Sequence, residues 1–84
     1  MKVLFSKTSE KQLRKLNLRF QEKVIDCLNR FQNGEIVDFK KLKGRHEEYR
    51  IRVGEYRILL IKKEDELYLV TDVGKRENIY LIFL

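Results

Sequence analysis

Eighty-four residues, 43% hydrophobic and 38% charged, describe one domain with enough apolar material for its own core and no dependence on disulfides. No apolar run approaches the roughly 20 residues of a membrane span, and the opening MKVLF is too short for a secretory signal core, so the expected setting is cytoplasmic, away from membranes. The formal net charge of +6 points to a polyanionic or acidic partner.

Residues 2–6, KVLFS, read as an opening strand. Ser9 precedes Gln12 at capping-box spacing, and the helix after it carries Leu13 and Leu16 on one side. Asn17 marks a break. Phe20, Val24, Ile25, Leu28 and Phe31 then recur with the period of an amphipathic helix, which Asn33 and Gly34 stop. Helices joined by so short a break form an antiparallel hairpin whose apolar stripes need a cover. The single cysteine, Cys27, sits beside Leu28 and reads as a small buried hydrophobe rather than a nucleophile. Residues 35–48 lack clear periodicity and are locally basic through Lys40, Lys41, Lys43 and Arg45. Phe39 and Leu42 are the expected anchors of this connection, and Gly44 its turn.

Residues 49–61, YRIRVGEYRILLI, organise the rest. Two alternating runs flank Gly54-Glu55, the pattern of a β-hairpin whose glycine opens a type II′ turn. Counting from that tip sets Val53 opposite Tyr56, Arg52 opposite Arg57, Ile51 opposite Ile58, Arg50 opposite Leu59 and Tyr49 opposite Leu60. Opposed residues of an antiparallel pair point the same way, so Tyr49, Ile51, Val53, Tyr56, Ile58 and Leu60 form an apolar face that can cover the helices. Arg50, Arg52 and Arg57 share the other face. Like charges opposed across strands repel by up to roughly 1 kcal/mol a pair. One reading of the cluster is an anion site, most naturally for phosphate, which guanidinium groups grip in bidentate fashion. The other is a solvated sheet face kept from aggregating by its arginines.

Residues 62–66 form a charged turn before a third strand-like run over 67–74. With Glu64-Asp65 at its tip, Leu69 falls opposite Leu60 on the core side and Asp72 opposite Arg57 on the arginine side. Lys75 and Arg76 return positive charge to the exit of this strand. Leu81, Ile82, Phe83 and Leu84 either pack on the domain or meet a partner. The pattern as a whole is an α+β fold, in which an N-terminal strand and an antiparallel helical hairpin pack on one face of a small antiparallel β-sheet.

The order strand, helical hairpin, basic loop with KLKG, then YRIRVGEYRI and VGKRENIY resembles the RelE/ParE superfamily of type II toxins along nearly the whole chain. An R-x-R-x-x-G-x-Y-R hairpin paired with V-G-x-R and a following tyrosine is most similar to the RelE branch. The resemblance implies a single RelE-like domain over residues 1–84 and an endoribonuclease that cuts messenger RNA on the ribosome. It also implies a cognate antitoxin that holds the toxin inactive through an acidic or amphipathic segment.

In RelE-type enzymes basic residues on the two hairpin strands and an arginine and a tyrosine near the C-terminus surround the scissile phosphate. The resemblance carries those roles onto Arg50, Arg52, Arg57, Arg76 and Tyr80. Lys41, Lys43, Arg45 and Lys75 are expected along the RNA, and Leu81 to Leu84 against the antitoxin. The implied reaction is attack of a ribose 2′-hydroxyl on its own phosphate. Arg57 stabilises the charge that builds on the phosphate, Arg76 serves the leaving oxygen, and Tyr80 stacks on a base or orients the sugar. No His, Asp or Cys cluster has metal-ligand spacing, so the expected mechanism uses no metal or cofactor.

This chain departs from the family in placing Arg50 and Arg52 where well-known members carry lysines. Arginine is a poor proton acceptor at neutral pH. Either another group takes the 2′ proton, or charge stabilisation and ribosome-imposed geometry carry the reaction. His46 and Glu48 are conceivable bases, a solvated histidine and a lysine-paired glutamate being the plainer readings. Two other functions fit the same fold: a ParE-like inhibitor of DNA gyrase, and an RNA-binding domain without catalysis.

Overall fold

The computed structural model of the protein describes residues 1–44 and 46–75. Its elements run β1 (Lys2–Phe5), α1 (Lys7–Lys15), α2 (Leu18–Gln32), β2 (Asp38–Lys41), β3 (Glu48–Val53), β4 (Tyr56–Glu64) and β5 (Leu67–Lys75). The strands form one sheet in the order β1-β5-β4-β3-β2. Neighbours are antiparallel except β1 and β5, which pair in parallel from Lys2 opposite Leu67 to Phe5 opposite Val70.

Both helices begin on polar caps. The Ser6 hydroxyl accepts the Ser9 amide at 3.1 Å, so the cap of α1 is Ser6 and not Ser9, the residue that the capping-box spacing favoured. Ser9 lies inside the first turn, fully buried, with its hydroxyl 2.8 Å from the Val70 carbonyl. Gln12, expected to complete the box, instead faces β5, where its amide oxygen accepts Val73 N–H at 2.7 Å. That bond serves β5 just beyond the end of its pairing with β1. Asn17 caps α2, as its place at the break suggested. Gly34, at φ +79°, terminates α2, with its N–H bonded to Phe31 and that of Glu35 to Arg30. A left-handed φ of that kind costs glycine nothing.

The core lies between the helices and one face of the sheet, where Val24, Cys27, Leu28 and Phe31 of α2 meet Ile51, Ile58, Leu60, Tyr68, Val70 and Val73. Ile25 departs from its expected stripe and is 39% exposed. Cys27 is buried, and desolvation raises its thiol pKa, consistent with a packing role.

The segment read as an aperiodic basic connection contains a strand. Phe39 on β2 stacks on Tyr49 with ring centroids 4.9 Å apart and tilts against Phe31 at 4.8 Å. This aromatic contact draws β2 onto the edge of the sheet. Phe39 is thus the anchor it was expected to be, with a strand built around it.

Candidate functional site

The β3–β4 hairpin has the register that its sequence dictates, from Tyr49 opposite Leu60 through Arg52 opposite Arg57 to Val53 opposite Tyr56. Gly54 takes φ +58° while Glu55 stays out of the left-handed region, as a type II′ tip requires. Arg50, Arg52 and Arg57 therefore share the sheet face turned away from the helices. Their exposure differs: Arg57 is 2% exposed and Arg50 9%, whereas the Arg52 side chain is 45% exposed.

β2 supplies the counter-charge that sequence reasoning missed. Asp38 stands opposite Arg52 on this face, with its carboxylate 2.8 Å from Arg50 Nη1 and 3.8 Å from Arg52 Nε. Arg50 Nη1 also reaches the Asp38 carbonyl oxygen at 3.1 Å. The hydrogen bond from Arg50 is the main cause holding the Asp38 carboxyl below the usual range, with the charges of Arg50, Arg52 and Lys40 adding to it. One carboxylate thus relieves the repulsion expected between opposed arginines. The signal was present in the alternation of DFKK, which sends Asp38 and Lys40 to one face and Phe39 to the other.

The other expected site residues divide. Lys40, not among them, stands opposite Arg50, whereas Lys41 pairs with Tyr49 and belongs to the helix-side row. Lys43 is exposed in the turn before Gly44. Lys75 stands opposite Tyr56 at the end of β5. His46 is exposed and loosely paired with Glu47 at 3.7 Å. Arg45, Arg76, Tyr80 and Leu81 to Leu84 lie outside the described residues.

The β4–β5 register corrects the count. The tip is Asp65-Glu66, and irregularities between Leu59 and Leu60 and between Lys62 and Glu64 shift the pairing. Leu69 falls opposite Ile61, away from the core side, and Val70 takes the place opposite Leu60. Gly74, not Asp72, stands opposite Arg57. Asp72 is opposite Leu59 and so still belongs to the arginine face.

A family model described as the ParE toxin of the type II toxin-antitoxin system parDE matches residues 3–80. The chain belongs to the RelE/ParE superfamily of type II toxins. Within it the likeness is to RelE proteins. The chain is 40% identical over 88 residues to Toxin RelE3 of Methanocaldococcus jannaschii, covering 99% of both chains. The toxin also matches a chain of the RelB-RelE antitoxin-toxin complex from Methanococcus jannaschii at TM-score 0.81 and 32% identity, covering 96% of this chain and 99% of that one. A chain of the intact E. coli RelBE complex shares the fold at TM-score 0.71 and 24% identity, over 87% and 93% of the two chains. The two helices and five-stranded, mostly antiparallel sheet are thus the RelE architecture. Among the described residues no helix is long and apolar enough to cross a membrane.

Proposed function

We propose that this toxin is a cytoplasmic, ribosome-dependent endoribonuclease that cleaves messenger RNA by attack of a ribose 2′-hydroxyl on the adjacent phosphate, which forms a 2′,3′-cyclic phosphate, breaks the bond to the next 5′ oxygen and releases the 2′ proton to water. The observation that carries this reading is the common face of Arg50, Arg52 and Arg57 on paired strands, with Asp38 set against the first two. Cations fixed in a sheet are oriented before the substrate arrives, and they stabilise a phosphorane-like transition state more than the ground state. Arg57, held from both sides in the middle of the sheet, is the principal group. Arg76 takes the leaving oxygen and Tyr80 the neighbouring base or sugar, as the family resemblance implies. With arginine in place of lysine at positions 50 and 52, the chemistry rests on charge stabilisation and on the geometry that the ribosome imposes, without metal or cofactor.

The partner of the resting state is an antitoxin, supported by the RelB complexes of the related toxins. Its acidic or amphipathic segment covers the arginine face and Leu81 to Leu84. Deleting those four residues is expected to weaken antitoxin binding.

Mapping message ends on translating ribosomes tests the reaction. The wild type cuts, and Arg57→Ala slows cleavage about 100-fold, roughly 3 kcal/mol of transition-state stabilisation. Intact messages at a dose that arrests growth would overturn the nuclease, and inhibition of gyrase supercoiling at that dose would put the ParE-like reading in its place.

A further inference from the structure

On the arginine face, beside the row of Arg50 and Leu59, the surface sinks into a cavity of about 150 Å³ lined by Leu42, Glu48, Leu59, Leu60, Ile61, Thr71 and Asp72. Arg57, Leu59 and Ile61 alternate along β4, so successive side chains on this face stand about 7 Å apart. That is the scale on which a nucleotide's base stands off from its phosphate. A phosphate at Arg57 therefore leaves an adjoining base within reach of the hollow over Leu59 and Ile61.

The hollow has the chemistry of a base pocket. Leu42, Leu59 and Ile61 offer apolar surface to the faces of a ring. Two carboxylates line it, Glu48 and Asp72, and the one held in place as a hydrogen-bond acceptor is Asp72: Gln12 Nε2 donates to its Oδ1 at 3.2 Å, while Gln12 Oε1 is itself fixed by Val73 N–H at 2.7 Å. A fixed carboxylate accepts from an exocyclic amino group and repels a carbonyl oxygen in the same position. Cytosine and uracil differ at that position, having the same ring and nearly the same volume.

We propose that this cavity is a nucleobase pocket selecting bases that bear an exocyclic amino group, cytosine over uracil among the pyrimidines, with Asp72 as the reading group and Gln12 as the residue that positions it. The proposal rests on the RNA reading of the arginine face and names which base that face receives.

The test titrates the full chain with fluorescein-labelled hexanucleotides of cytidine and of uridine at low salt, read by fluorescence anisotropy. The wild type is expected to bind the cytidine oligomer about tenfold more tightly. Asp72→Asn should bring the ratio near one. Leu42→Trp, which fills the hollow and leaves the carboxylate, should also abolish the ratio while preserving the salt dependence set by the arginines. Equal binding of both oligomers by the wild type, absence of binding, or a ratio that survives both substitutions would overturn the pocket, including the case in which the hollow takes a side chain of a protein partner. Message cleavage on ribosomes is scored separately. A base ratio without cleavage removes the nuclease and keeps the pocket, whereas cleavage without a base ratio does the reverse.

Discussion

Asp38 on β2 closes around Arg50 on β3, accepting from its Nη1 through the carboxylate at 2.8 Å and through the backbone carbonyl at 3.1 Å. The pair has a pH signature. A carboxyl whose pKa is lower in the folded than in the unfolded protein contributes stability that is complete above the unfolded value and is lost as pH falls through the lowered one. The thermal midpoint of the wild type should therefore exceed that of Asp38→Asn by a constant margin above about pH 5, and the margin should close below about pH 4. Melting curves at closely spaced pH read the effect. A margin unchanged at about pH 3 would dissociate Asp38 from Arg50 energetically.

The same carboxylate offsets part of the positive field of Arg50 and Arg52. Asp38→Asn should tighten binding of single-stranded RNA at low salt and steepen its salt dependence. With about four phosphates contacted, log affinity falls against log salt with a slope near −3, at about −0.7 per contact, and Arg52→Ala should flatten it by about one such contact. A salt response that neither substitution alters would place the phosphates elsewhere on the protein.

Most of the architecture was legible from local rules. The hairpin register followed from one glycine and strict alternation, and the second helix from its cap, its period and Gly34. The failures were non-local. β2 escaped because four residues with one aromatic anchor carry little periodicity by themselves, and what makes them a strand is the ring stack of Phe39 on Tyr49. Asp38 was lost with it, so the arginine cluster was found without its counter-ion. Lys41 was likewise expected along the RNA and Lys40 was not, because charge alone does not separate them and only the strand decides their faces. The β4–β5 pairing failed in two ways: the tip lies one residue later than expected, which sets Gly74 opposite Arg57, and between the two irregularities the pairing slips by one residue that counting from a turn cannot see.

That irregularity gives a direct test. In an uninterrupted register Leu69 faces the core, so its truncation should be the costly one. In the observed register Val70 is fully buried and Leu69 only partly. Val70→Ala should then cost about 2 kcal/mol and Leu69→Ala about 1 kcal/mol or less, although leucine loses more atoms. Urea denaturation of the two variants decides between the registers, and the reverse order of stability would restore the uninterrupted one.

The start of α1 allows a similar comparison. If Ser9 were the cap, Ser6→Ala would be almost neutral. Instead the Ser6 hydroxyl accepts the Ser9 amide at 3.1 Å and donates to the Ser9 hydroxyl at 3.0 Å, and the latter lies 2.8 Å from the Val70 carbonyl. Ser6→Ala should cost about 1 kcal/mol as a lost cap, and Ser9→Ala about 1–2 kcal/mol as a lost buried hydrogen bond tying the helix to β5. Because the two hydroxyls are bonded to each other, the double variant should lose less than the sum of the singles, by about 0.5 kcal/mol or more. Strict additivity in the denaturation data would mean that cap and tie act independently, and that α1 is held to β5 mainly by Gln12 and the packing of Leu13.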